Sequence, residues 1–126
     1  MSKKASSPLL TETELELMNH IWALGKCSVR DILKQLPESR NMAYTSASTI
    51  VRILEQKGIV ESHKEGKAHI YTAKLKKNEY EKTTLKHVIK NVFSGTPSQL
   101  VKRLVNDEKL SKAEREEIRR IISEDL

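Results

Sequence analysis

At 126 residues, with 37% hydrophobic and only 4% aromatic residues, the chain has room for one domain, or one domain with an attachment, around a lean core; part of its stability is therefore expected from a partner subunit. Its formal charge of +6, from 23 Lys and Arg against 17 Asp and Glu, suits a polyanionic partner without specifying one. The single cysteine, Cys27, excludes an intrachain disulfide, no apolar run approaches the roughly 18 residues of a membrane span, and the start MSKKASSPLL lacks the apolar stretch of a secretory signal, so a cytoplasmic protein with no membrane partner is expected.

Residues 1–8 read as a disordered basic tail. Thr11, three residues before Glu14, forms the capping-box pattern that opens a first helix, and Leu15, Met18, Ile21 and Trp22 give it one apolar face up to Gly25. Cys27 falls between helices, where a short buried strand is expected, so it reads as a packing residue. Ser28 is the N-cap candidate of a short second helix with Val29, Ile32, Leu33 and Leu36 on its apolar side. Pro37 stops that helix, because proline lacks the amide and its ring disfavours helix in the residue before it. The polar stretch PESRNM then reads as a turn. A third helix is predicted from about Thr45 to Lys57, closed by Gly58 in a left-handed conformation.

From Ile59 to Leu75 the period changes. IVESH and AHIYTA flank the polar turn KEGK and predict a β-hairpin. Three helices followed by a hairpin is the order of a winged helix-turn-helix, expected over residues 9–76. Residues 77–126 return to helical spacing, first with Leu85, Val88, Ile89 and Val92, then, after Gly95 and Pro97, with Leu100, Val101, Leu104 and Val105. Ser111 and Glu114 repeat the capping pattern before Ile118, Ile121 and Ile122. Amphipathic helices with no sheet to lie on cannot bury these stripes alone, so the eleven residues are expected to pair with a second copy, giving a homodimer, with packing back on the winged helix as the alternative. The expected fold class is thus mostly α with a small β-hairpin: a winged helix-turn-helix followed by a helical dimerisation region.

Function is carried by the third helix. Ala47, Ile50, Val51 and Leu54 form one face; Thr45, Ser48, Thr49 and Arg52 form another, about 160° away. Those four polar residues include no acid. Short hydroxyl side chains allow close approach to a major groove, and arginine can fork onto guanine. Tyr44 and Ser46 sit where amides and hydroxyls at a helix start can hold a phosphate. The hairpin tip adds Lys64 and Lys67, suited to the DNA backbone. Residues Arg40–Lys76 hold 7 basic against 3 acidic residues, so the charge excess centres on this region. The predicted interface to double-stranded DNA is therefore Thr45, Ser46, Ser48, Thr49, Arg52, Lys64 and Lys67. No glycine-rich phosphate loop, nucleophile elbow or carboxylate pair in a glycine-framed loop points to an enzyme. No metal ligand set or cofactor is expected, although His63 and His69 are placed to approach each other across the hairpin. Two alternatives stay open: a winged-helix interaction module that does not read DNA, and a metal-responsive regulator using those histidines.

Together LTETELELMNHIW, TSASTIVRILEQKGIV, KEGKAHIYTA and NDEKLSKAE, in this order and spacing from about Leu10 to Ile122, resemble the penicillinase and methicillin-resistance repressors (BlaI/MecI/CopY). The resemblance implies a homodimeric winged-helix transcriptional repressor on operators with dyad symmetry. It places the family's DNA contacts on Thr45, Ser46, Thr49 and Arg52, with wing support from Lys64 and Lys67. It also implies an upstream sensor or protease, unidentified here. In the β-lactam branch a protease cuts an Asn-Phe bond in the dimerisation region; the corresponding place reads Arg103-Leu104. The copper branch carries a C-terminal Cys-x-Cys site, and no cysteine follows Cys27, so neither inducing mechanism transfers.

Overall fold

Short polar side chains open the first helices by accepting from otherwise free amides. In the computed structural model, which describes residues 9–107 and 109–124, α1 spans Glu12–Leu24; the Glu14 amide donates to Thr11 Oγ1 at 3.1 Å and the Thr11 amide to Glu14 Oε1 at 2.9 Å. The tail expected over residues 1–8 lies outside the described residues. α2, Val29–Gln35, repeats the device: the Asp31 amide donates to Ser28 Oγ and the Ser28 amide to Asp31 Oδ2. Ser28 is the expected N-cap; its reciprocal partner is not apparent from the pattern, because aspartate stands where a capping box has glutamate or glutamine. α3 spans Tyr44–Gln56, starting one residue earlier than expected, with Gly58 at φ +78° just beyond it.

Three antiparallel strands complete the winged helix: β1 (Lys26–Cys27), β2 (Val60–Glu65) and β3 (Ala68–Ala73), in the order β1-β3-β2. The β2–β3 turn needs only Gly66 and Lys67. Gly66 has φ +64°, the left-handed value that a tight hairpin turn assigns to glycine.

Fully buried side chains from five elements meet in one core: Leu17, Met18 and Ile21 from α1, Ile32 from α2, Ala47, Val51 and Leu54 from α3, Cys27 from β1 and Val60 from β2. The buried stripe of α1 is Glu14-Leu17-Met18-Ile21; the expected Leu15 and Trp22 are only half-buried and flank it. An acid at the head of the stripe hid its centre from a hydrophobic pattern. Glu14 is 6% exposed and meets Lys57 Nζ at 2.7 Å. Burial works against its charge, but the Lys57 hydrogen bond, the Thr11 amide and the Lys57 charge outweigh it and hold the carboxyl below its ordinary pKa. This ion pair ties α1 to the end of α3.

α4, Lys77–Asn91, starts on the same core. Tyr80 is buried, its ring 5.8 Å from that of Trp22, and its hydroxyl accepts from the Leu10 amide; Trp22 Nε1 donates to the Leu75 carbonyl. The first compact unit ends at Thr84 and the second begins at Leu85. In the second unit the end of α4 is followed by α5 (Pro97–Asp107) and α6 (Lys112–Glu124), and the Glu114 amide donates to Ser111 Oγ as expected. Neither α5 nor α6 buries a residue among those described. Leu85, Val92, Val101, Leu104, Ile121 and Ile122 are exposed, and Val88, Ile89, Leu100, Val105 and Ile118 are half-buried.

Candidate nucleic-acid interface

The two faces of α3 separate cleanly. Ala47, Val51 and Leu54 have no exposed surface, and Ile50 is half-buried. On the other side Tyr44, Thr45, Ser46, Thr49 and Arg52 are exposed and Ser48 is half-buried. The core therefore fixes which face of the helix is left for a ligand. The start of α3 differs from those of α1 and α2: its N-cap is Ala43, and no side chain caps the first amides. Uncapped amides at the positive end of a 13-residue helix are donors for an anion. The Thr49 hydroxyl already donates to the Thr45 carbonyl at 2.9 Å, so toward a ligand it offers its lone pairs.

Strand register sets what the wing contributes. Val60 opposes Ala73, Ser62 opposes Tyr71 and Lys64 opposes His69, so these residues share one face. That face turns to α3, because Val60 and Tyr71 are buried and Ser62 Oγ donates to Glu55 Oε2 at 2.6 Å. The reverse face carries Glu61, His63 and Glu65. His63 and the neighbouring Lys26 both bind Glu65 Oε2, at 2.9 and 3.3 Å, and hold its carboxyl below the ordinary range. A wing carboxylate is thus neutralised on the side away from α3.

Between α3, the start of α2 and the wing lies an open cleft of about 660 Å³. It brings together three of the predicted residues, Ser48 and Arg52 from α3 and Lys67 from the turn. Thr45, Ser46 and Thr49 lie on the exposed side of the same helix outside the cleft lining, and Lys64 sits at the wing end opposite His69, which lines the cleft. Arg30, Glu55 and Tyr71 also line it and were not among the predicted contacts, and Tyr44, expected only at a phosphate-holding helix start, lines it too. Glu55 is an acid one turn beyond the polar quartet, and its carboxylate accepts from the Ser62 hydroxyl. Tyr71 has a raised phenol pKa, first from burial and then from Glu55. Arg30 carries no periodic signal, since only the docking of α2 on α3 brings it beside Tyr44. Tyr44 was legible as a helix start but not as part of a cleft.

His63 and His69 are both exposed and do not approach each other, which removes the ligand pair that the alternative metal-responsive reading needs. His63 opposes Ile70 and His69 opposes Lys64, so the two rings leave opposite faces of the hairpin. A shift of one residue along a strand reverses its face, which the count of residues around the turn did not resolve. Among the described residues no three His, Cys, Asp or Glu side chains gather as a metal site, and no helix is long and apolar enough to cross a membrane.

Comparison with known proteins gives a consistent result. The model of the family described as penicillinase repressor matches residues 10–124. The chain is 25% identical over 117 residues to the penicillinase repressor of Bacillus licheniformis, spanning 93% of this chain and 91% of that protein. It is 28% identical over 114 residues to the methicillin resistance regulatory protein MecI of Mammaliicoccus sciuri, covering 90% and 93% of the two chains. Among solved structures, the DNA binding domain of the repressor BlaI aligns with a TM-score of 0.52 and 27% identity, covering 60% of this chain and 92% of that domain.

Proposed function

Because the chain belongs to the penicillinase repressor family, we propose that it is a DNA-binding transcriptional repressor, and not an enzyme, that acts as a homodimer on an operator with dyad symmetry. The observation that carries this reading is the cleft in which Ser48 and Arg52 of α3 meet Lys67 of the wing. A helix face of hydroxyls and one arginine enters the major groove, where Arg52 forks onto a guanine edge and Thr45, Ser48 and Thr49 approach the bases closely. Ser46 and the uncapped first amides of α3 hold one phosphate, and Lys64 and Lys67 hold the backbone beside the groove.

The second unit supplies the dimer. Its exposed aliphatic side chains each gain roughly 1 kcal/mol or more when a second copy covers them. Two winged helices at fixed spacing read two half-sites and bind far more tightly than one. Titration of duplex DNA at low salt, followed by rising salt, tests the reading. Binding whose log affinity falls linearly with log salt is expected; no binding even at low salt would overturn it.

A further inference from the structure

The cleft carries more positive charge than α3 and the wing tip supply. Of the chain's seven arginines, Arg40, Arg103, Arg119 and Arg120 each meet a carboxylate. Arg30 from α2 and Arg52 from α3, which both line the cleft, have no carboxylate partner among the described residues. The acid that lines the cleft, Glu55, accepts from Ser62 Oγ and forms no ion pair with either arginine among the described residues. Neither cleft arginine is thus held in an ion pair, in a protein that pairs most of its other arginines.

Arg30 is also held in a particular way. Its guanidinium carbon lies 4.9 Å from the centroid of the Tyr44 ring, and Tyr44, first residue of α3, is 46% exposed. Stacking on an aromatic ring uses the face of the guanidinium and leaves its in-plane N–H groups available. Those groups form the fork that matches a phosphate. The stack also restricts a long side chain before binding, which lowers the ordering cost at an interface. Lys67, on the wing side of the same cleft, is a third cation with no carboxylate partner among the described residues.

We propose that Arg30, stacked on Tyr44, is a further DNA contact, a backbone-phosphate ligand on the α2 side of the cleft, opposed by Lys67 from the wing. The contact rests on the DNA-binding reading above and adds what that reading lacks, a third point that sets how deeply α3 sits in the groove. A phosphate contact positions without reading sequence, so its loss weakens binding alike on every duplex.

The test uses the full chain and fluorescence anisotropy across a salt series, on a mixed-sequence duplex and on a duplex enriched from random DNA. R30A is expected to lower the slope of log affinity against log salt by about 0.9 per bound subunit, equally on both duplexes. R30K keeps the slope, because it keeps the charge, and loses affinity several-fold; Y44L does the same by removing the stack. Both positions are exposed, and melting temperatures matching the parent confirm folding. An unchanged R30A slope while the parent still binds would overturn the Arg30 contact and leave the DNA reading standing. Loss by R30A on the enriched duplex alone would overturn the phosphate assignment in favour of a base contact. A parent protein that binds neither duplex would overturn the DNA reading itself.

Discussion

Replacing Lys57 by methionine isolates the link between α1 and the recognition helix. Methionine keeps most of the aliphatic stem but removes the cation 2.7 Å from Glu14, leaving a carboxylate only 6% exposed with its Thr11 partner alone. Breaking a fully buried pair from one side costs about 3–5 kcal/mol; here the Lys57 side chain is 49% exposed, water reaches the pair, and about 1–2 kcal/mol is the appropriate scale. Urea unfolding at pH 7 should show the midpoint falling by roughly 0.5–1 M for a protein of this size. The pH dependence fixes the cause. In the parent the Glu14 pKa is depressed on folding, so its contribution is present above the ordinary carboxylate value and is lost as pH falls through the folded pKa. In the variant burial is no longer outweighed by the cation, so the penalty is greatest near neutrality and shrinks once Glu14 is protonated. A loss below about 0.3 kcal/mol at pH 7, or one equally large at about pH 3.5, would refute the ion-pair reasoning.

Arg52→Ala should weaken binding to a preferred duplex by about 1–3 kcal/mol and narrow the gap between preferred and random DNA; equal loss on both would remove Arg52 from base reading. Leu104→Asp combined with Ile121→Asp should raise the dimer dissociation constant by about 100-fold or more in sedimentation, with the melting of the winged helix retained. An unchanged dimer would remove these stripes from the interface. The Cys27 thiol is pushed up to about 11 by burial and by the charge of Asp31. A thiol reagent near pH 8 should therefore react only as the protein unfolds, and rapid labelling of the native chain would contradict its packing role.

The elements were legible where local chemistry decides them. Thr11 with Glu14, Pro37, Gly58 and the Gly66 turn each act within a few residues, and the structure has a helix start, a stop, a left-handed residue and a hairpin there. What depends on long-range packing was less legible. The buried face of α1 was legible in part: Met18 and Ile21 are buried as expected, but Leu17 was not picked out because Glu14, partnered 43 positions away by Lys57, breaks the apolar pattern. Strand register, which sets His63 and His69 on opposite faces of the hairpin, likewise depends on pairing that local spacing does not show. At the candidate interface, the opposed faces of α3 follow from helical spacing, but the cleft needs the docking of three elements; Arg30 and Glu55 join it through neighbours that no spacing rule reveals.

Selection of bound sites from random duplex DNA bears most directly on the central claim. A dimeric repressor with α3 in the major groove requires enrichment of a palindrome. Its half-sites should stand about one or more helical turns apart, roughly 10 base pairs centre to centre or a multiple of that, and Arg52→Ala should erase the preference at a guanine within each half-site. Recovery of no enriched sequence, or of a single unpaired half-site, would contradict it.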